Sequence, residues 1–264
     1  MKLGIGLNIF SSVELLKPAL LQVRKFAYHI VGVFNKTSFN GDPAPDYYLP
    51  LLQQLLEEKL IDSLVEHHIT PTKVPTQMQK MQREKYEIAR RVLVEKGCSH
   101  LLNMDCDEFW EKENFANAMN FVSKHSFSIS NLWNYVGTPC YRERTVAKLH
   151  VPFIQKSNHI MQPWHFPQLL DLSRTIETSN FIVIPSNIIC MHHMTGVRFN
   201  ELELQRKFQG HAHFLGEGSS GRSDYIQRMR NPNKDIYDEV PDRFGILEYW
   251  KNEFTPFYQK YMGK

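Results

Sequence analysis

The feature that most constrains this chain is the order of its apolar runs. Over the first 110 residues, short strand-like runs alternate with helical stretches. A chain with that order buries its apolar residues best in a mostly parallel sheet covered by helices. Leu3, Ile5, Leu7 and Ile9 alternate with Gly4, Gly6 and Asn8, a period of two that predicts a first strand ending near Asn8, with a glycine side open to close approach. Ser11-x-x-Glu14 has capping-box spacing, and Leu16, Leu20 and Val23 recur at helical intervals, so a helix is predicted next. A second strand over 29–34, a loop rich in Asn, Gly, Asp and Pro, a helix over 49–60, a third strand over 62–69, a long helix over 76–97 and a fourth strand over 99–105 complete the alternation. The long helix carries Met81, Ile88, Ala89 and Val92 on one expected core face, with Gly97 as its stop. In sheets of this kind ligands gather at the carboxyl ends of the strands.

Beyond residue 125 the pattern changes to short strands over 127–135, 148–156, 180–185 and 187–194, with a long helical stretch only at 247–261. The expectation is a single α/β domain over 1–264 with a mixed C-terminal half. The net charge of +3, with acids and bases interleaved, excludes a nucleic-acid surface. Four cysteines without a C-x-x-C pair argue against a zinc knuckle or disulfide framework and for reduced thiols in a cytoplasmic protein. The N-terminus lacks an uninterrupted apolar h-region, and no run reaches the length of a membrane span. The sequon Asn35-Lys36-Thr37 is given no weight. The stretch from Gly210 to Tyr225 is rich in Gly and Ser. It is expected to be a mobile lid that folds over bound ligand, with His213 and Arg222 as its contacts.

Chemistry concentrates where the fourth strand ends, in "HLLNMDCDEFW" from His100 to Trp110. In an extended segment Asp105 and Asp107 share a face while Cys106 points into the fold. Two adjacent carboxylates repel unless a positive charge lies between them, and hard oxygen ligands suit magnesium or manganese with positions left for phosphate. A second cluster, "CMHHMTGVR", ends another apolar run. His192 and His193 face opposite ways on a strand, so only one joins such a site, and His193 is chosen because Gly196 and Arg198 follow it at turn distance. His192 is then the buried histidine that satisfies its neighbours. His67-His68 and His211-x-His213 lack a recognised zinc spacing. The aromatic set Trp133, Tyr135, Tyr141, Trp164 and Phe166 reads as core, although Trp164-His165-Phe166-Pro167 offers an indole on which a sugar ring could stack.

Alternating βα units, a helix bearing Gln79, Gln82 and Arg83, and then "LLNMDCDEFW" resemble metal-dependent glycosyltransferases of the A fold, especially the family-2-like and family-92-like groups with their Asp-x-Asp-Glu-Phe motif. "HHMTGVR" is loosely similar to the His-x-x-Gly motif of family-8-like enzymes, without the Lys-Pro-Trp ending. The resemblance covers Lys2 to Arg198 by element order. It implies a GT-A-like domain with a nucleotide-sugar half (1–110) and an acceptor half (111–264). It further implies that Asp105 contacts donor ribose or metal, that Asp107 ligates Mn2+ or Mg2+, and that His193 completes the site. Asn8 and Asn35 would line the nucleoside pocket, Arg83 would steady Asp105 or the nucleotide, and Arg198 would reach the phosphates. The donor implied is a nucleotide-diphosphate sugar, a UDP-sugar above others, and the partner a carbohydrate or glycan acceptor. An inverting reaction would need a carboxylate base, for which Asp171 and Glu177 are the candidates; a retaining one would not. Where family-2-like enzymes carry an aspartate after the second strand, this chain has "FNKTSFNGD". Two other readings stay open: a sugar-phosphate nucleotidyltransferase, which would want a glycine-rich loop with a basic residue after the first strand, and a non-catalytic carbohydrate-binding domain of the same fold.

Overall fold

The computed structural model describes residues 1–163, 166, 170–209, 227 and 235–262. Within it β1 (Leu3–Ile9), α1 (Leu16–Val23), β2 (His29–Phe34), α2 (Tyr48–Glu57), β3 (Ser63–Glu66), α3 (Pro75–Glu95) and β4 (His100–Asp105) follow the predicted order. The four strands are parallel and lie side by side as β3-β2-β1-β4. The chain leaves β1 toward β2 on one side and returns to β4 on the other, so the strand order reverses between β1 and β4. A crevice at the carboxyl ends of the strands belongs at such a point.

The glycine side of β1 is covered by α3. A Cβ placed on Gly6 would lie 2.8 Å from the Cβ of Ala89, and one on Gly4 would lie 2.8 Å from the side chain of Leu93. The face that α3 buries is Met78, Lys85, Tyr86, Ala89 and Leu93, one position round from the expected stripe. The shift brings two polar residues, Lys85 and Tyr86, against the strand ends. Gly97, with φ +80°, stops the helix as expected.

The second half adds β5 (Glu108–Trp110), α4 (Lys112–Val122), β6 (Phe127–Gly137), β7 (Tyr141–Glu143), β8 (His150–Lys156), β9 (Phe181–Val183), β10 (Met191–Val197), α5 (Glu201–Gln209) and β11 (Tyr237–Glu239). β8 lies antiparallel between β4 and β6 and so continues the sheet, while β10 runs parallel to β6 and antiparallel to β5. This is the mixed α/β arrangement expected of an A-fold-like chain: a parallel, helix-flanked half joined to a mixed half. α4 was not foreseen; it buries Phe115, Ala118 and Val122, and Phe115 stacks on Phe26. The C-terminal run Ile246–Tyr249, Trp250–Phe254 and Thr255–Met262 sets Phe254 against Tyr47 and Phe199, and the Trp250 indole N–H donates to the Glu14 carbonyl at 3.0 Å.

The Gly/Ser-rich stretch 210–225, with His213 and Arg222, lies outside the described residues, as do Trp164, His165 and Pro167. Phe166 packs on Phe127 and Phe181. Among the described residues no helix is long and apolar enough to cross a membrane.

Candidate functional site

Parallel register sets Asn8 opposite Asp105 at the carboxyl ends of β1 and β4. The Asn8 amide donates to Asp105 Oδ1 at 2.8 Å, and the Tyr86 hydroxyl donates to the same oxygen at 2.6 Å. Asp105 is only partly buried, and one of its oxygens is fixed by these two donors. Beneath it, the Lys85 ammonium donates to the Ile9 carbonyl and to Asn35 Oδ1, each at 2.7 Å. Burial pulls Lys85 down to about 7. Lys85 thereby ties the ends of β1 and β2 together. Asn35 is buried, accepts from Lys85 and donates to the Thr37 carbonyl, so it braces the strand ends and does not line an open nucleoside pocket.

The Asp-x-Asp segment is not extended. β4 stops at Asp105, the chain turns at Cys106 and Asp107, and β5 starts at Glu108. Cys106 is buried, as expected, but the turn places the two aspartates in different surroundings. Asp107 is 2% exposed, and its Oδ2 accepts from Arg198 at 2.9 Å, Lys207 at 2.8 Å and the Ser12 hydroxyl at 3.5 Å. Burial alone would raise its pKa; Lys207, Arg198 and His193 outweigh burial and hold it well below the ordinary carboxylate range. The capping box expected of Ser11 and Glu14 is not formed, because the residue at the N-cap is Ser12. Ser12 sits at φ 66° with no capping bond, ahead of a short turn of 3-10 helix over Val13–Leu15, and its hydroxyl turns to Asp107 instead. Glu14 is wholly buried, with no hydrogen bond to either carboxylate oxygen among the described residues and Arg198 Nε 3.9 Å away. Burial lifts its pKa to about 7, with Arg198 opposing.

Strand pairing explains how distant residues meet here. β10 lies on β5 with His193 opposite Glu108, and the Met194 N–H donates to the Asp107 carbonyl at 2.8 Å. His192 and His193 face opposite ways, as alternation requires. His192 is buried between the Tyr135 hydroxyl at 2.9 Å and Glu111 at 3.3 Å. His193 stands on the aspartate side, where burial lowers its pKa while Asp107 and Asp105 pull upward; it is neutral near pH 7. The Arg198 guanidinium is committed to Asp107 and to the carbonyls of Met194 and Val197, so it anchors Asp107 from below.

Glu108 and Arg174 form a clamp that the motif did not reveal. Both side chains are 3% exposed, and Arg174 Nη1 and Nη2 donate to the two oxygens of Glu108, each at 2.7 Å. Arg174 Nη1 also donates to the Asn103 carbonyl at 3.1 Å, while Glu108 accepts from the Asp105 N–H at 3.1 Å. Asp171, expected as a base, is occupied by Arg174 Nε and by the Ser173 N–H and hydroxyl. Burial would raise its pKa, but Arg174 and Ser173 hold it below the ordinary value. Asp171 is therefore a positioning residue for Arg174. Glu177 is exposed and accepts from Gln162. Arg83 does not hold Asp105; it lies on α3 three residues before Tyr86, and its Nε has no partner among the described residues.

No protein-family model and no curated protein matches the sequence. Solved structures give low-scoring likenesses. The structure of S. aureus TarS 1-349 with UDP-GlcNAc is similar at TM-score 0.45 and 12% identity, over 100% of this chain and 80% of that one. GalNAc-T7 with UDP, GalNAc and Mn2+ is similar at TM-score 0.42 and 10% identity, over 99% and 58%. Mannose-1-phosphate geranyltransferase from Thermus thermophilus is similar at TM-score 0.32 and 8% identity, over 53% and 44%. Against a longer S. aureus TarS structure the match takes in 50% of this chain but only 21% of that chain. At these scores the roles of individual residues rest on the geometry above and not on the likeness.

Proposed function

We propose that this protein transfers a glycosyl group from a nucleotide-diphosphate sugar, a UDP-sugar above others, to a carbohydrate hydroxyl. The observation that carries this reading is Asp105. Its carboxylate lies at the reversal of strand order, fixed by Asn8 and Tyr86 and partly open, beside a second aspartate already paired with cations. A fixed carboxylate suits the vicinal hydroxyls of a ribose, and a neighbouring cation suits a diphosphate. The recess lined by Phe10, Ser12, Ser38, Asp42, Tyr47 and Arg206 adjoins Asp107 through Ser12. There Phe10 offers a face for a base, and Asp42, four residues beyond Ser38, offers an acceptor in place of the missing aspartate directly after β2.

Breaking the anomeric bond leaves negative charge on the departing nucleotide diphosphate, and stabilising that charge is the main electrostatic task. A divalent ion held by Asp105, Asp107 and His193 is the source of positive charge that the motif implies. The donor set does not fit one as arranged. Among the described residues no group of three His, Cys, Asp or Glu side chains is gathered to hold a metal, and Asp107 Oδ2 already carries an ammonium and a guanidinium. An ion on that oxygen would stand close to two cations, and each pair of unit charges at 4 Å costs about 4 kcal/mol at an effective dielectric of 20. No step here is therefore routed through a metal. His193, neutral and beside Asp107, is placed to donate a hydrogen bond to a phosphate oxygen, and Arg83 is a cation still able to meet the nucleotide. Glu177 is the carboxylate left to act as base if configuration inverts.

A thermal-shift screen of nucleotide sugars, with product analysis of those that bind, tests the reading, because specific binding stabilises the folded state. Stabilisation by a nucleotide sugar with release of nucleoside diphosphate is expected. Release of pyrophosphate from a nucleoside triphosphate and a sugar phosphate would favour a nucleotidyltransferase. Binding of glycan without any nucleotide would favour a binding domain.

A further inference from the structure

We infer that Lys207 supplies the cationic contact to the donor diphosphate, so that nucleotide binding at this site needs no divalent ion. The inference rests on the reading of the site as a nucleotide-sugar site, and the facts that carry it are local. Lys207 lies on α5, a hundred residues from Asp107 in sequence, yet its ammonium is 2.8 Å from Asp107 Oδ2 and its side chain is 10% exposed. Among the described residues that is its only hydrogen bond, and an ammonium has three N–H donors. Two remain for oxygens of a ligand. Arg198 cannot take this role, because its Nη1 and Nη2 already meet two carbonyls and Asp107 and its Nε is buried on the side of Glu14, 3.9 Å away.

The charges facing the site lead to the same assignment. Asp105 and Asp107 alone would repel a diphosphate, and Arg198 offsets only one of them. With Lys207 in place the two carboxylates are balanced by two cations. Glu203, on the same helix, is paired with Arg206 at 2.6 Å. Lys207 thus stands where a hard cation would have to bind, on the same carboxylate oxygen and with donors free, and it does so as part of the chain. An ammonium is also a common binder of phosphate as a point charge.

Titration calorimetry of UDP into the whole protein, once with EDTA and once with manganese, tests this on the unaltered chain. Binding in EDTA within about threefold of that in manganese is expected. Lys207→Met should weaken binding in EDTA at least tenfold, and Lys207→Arg should restore most of it. Binding by the parent that appears only on adding manganese would overturn the role of Lys207 and leave the nucleotide-sugar reading standing. No binding of UDP, GDP, ADP or CDP in either condition would overturn both. Should Lys207→Met not fold, protection of Lys207 from acetylation by UDP in EDTA, read by mass spectrometry on the parent, replaces it; equal labelling with and without UDP would refute the contact.

Discussion

Replacing Arg174 with Met removes the guanidinium from a buried carboxylate and keeps much of the volume. Arg174 makes two 2.7 Å bonds to Glu108, one of 3.1 Å to the Asn103 carbonyl and one of 3.0 Å to Asp171. Breaking one side of a buried pair costs about 3–5 kcal/mol, mostly because the other charge is left without compensation. That is a large share of the roughly 5–15 kcal/mol that holds a domain folded, and it corresponds to a fall in the urea midpoint on the order of 1–2 M. The loss should depend on pH. Burial raises the Glu108 carboxyl to about 7 even in the parent, with Arg174 pulling the other way. Without Arg174 it rises further. A carboxylate whose folded pKa lies above its unfolded value, about 4.3, loses stability as pH rises through that interval. Arg174→Met should therefore cost less at pH 5, where the bonds to Asp171 and the Asn103 carbonyl are still lost, than at pH 8, and adding Glu108→Gln should recover much of the loss at pH 8. Urea unfolding at the two pH values measures this. A loss under about 1 kcal/mol at pH 8, well short of the cost of breaking a buried pair, or one equal at both pH values, would refute the clamp as the element that fixes the Asp105–Asp107 turn.

Other outcomes follow from the same geometry. Glu14→Met removes a buried carboxyl raised to about 7, whose stabilising share is present below about 4.3 and lost as pH rises toward 7; urea midpoints should show the variant gaining on the parent between pH 5 and pH 8, and a variant losing ground over that range would contradict the assignment. His193→Ala should abolish nucleotide-sugar turnover with the fold intact, whereas His192→Ala, which takes the buried imidazole from the Tyr135 hydroxyl and leaves Glu111 to Arg243 and Asn114, should cost roughly 1–3 kcal/mol of stability; circular dichroism melts and a turnover assay separate the two, and the reverse pattern would count against the facing of β10. Gly6→Ala places a methyl 2.8 Å from both the Ala89 Cβ and Asn103 Oδ1; moving α3 away should cost about 1–3 kcal/mol and weaken nucleotide binding by shifting Tyr86, and a melt unchanged from the parent would show that the contact is not tight.

The parallel half was legible because its signals are local: a period-two run for β1, a glycine stop for α3, and apolar runs of strand length in between. α4 escaped notice because its apolar residues, Phe115, Ala118 and Val122, are diluted by Lys112, Glu113 and three asparagines. Spacing alone put Asp105 at a strand end, but it treats the segment as extended and so missed the turn at Cys106–Asp107, and it placed the later strand over 187–194, whereas β10 starts at Met191 and His193 lies within it. Ser11-x-x-Glu14 had the right letters for a capping box, but the short helix starts one residue later, after Ser12, and Glu14 is buried on the side of Arg198. The groups that decide the electrostatics come from far along the chain. Arg174 reaches Glu108 across 66 positions and Lys207 reaches Asp107 across 100, and no local pattern announces either. Tyr86 had a detectable signal, one helical turn from Arg83 on the helix already assigned to this site.

The central claim is that Asp105, held by Asn8 and Tyr86 at the reversal of strand order, binds a nucleotide sugar for glycosyl transfer. Release of nucleoside diphosphate from a panel of nucleotide sugars, compared between the parent and Asp105→Ala with both shown to be folded, tests it most directly. The expected result is release from at least one sugar nucleotide by the parent, and a fall of at least a hundredfold in the variant. Equal release by both proteins, or none from any donor by the parent with a glycan acceptor library present, would contradict it.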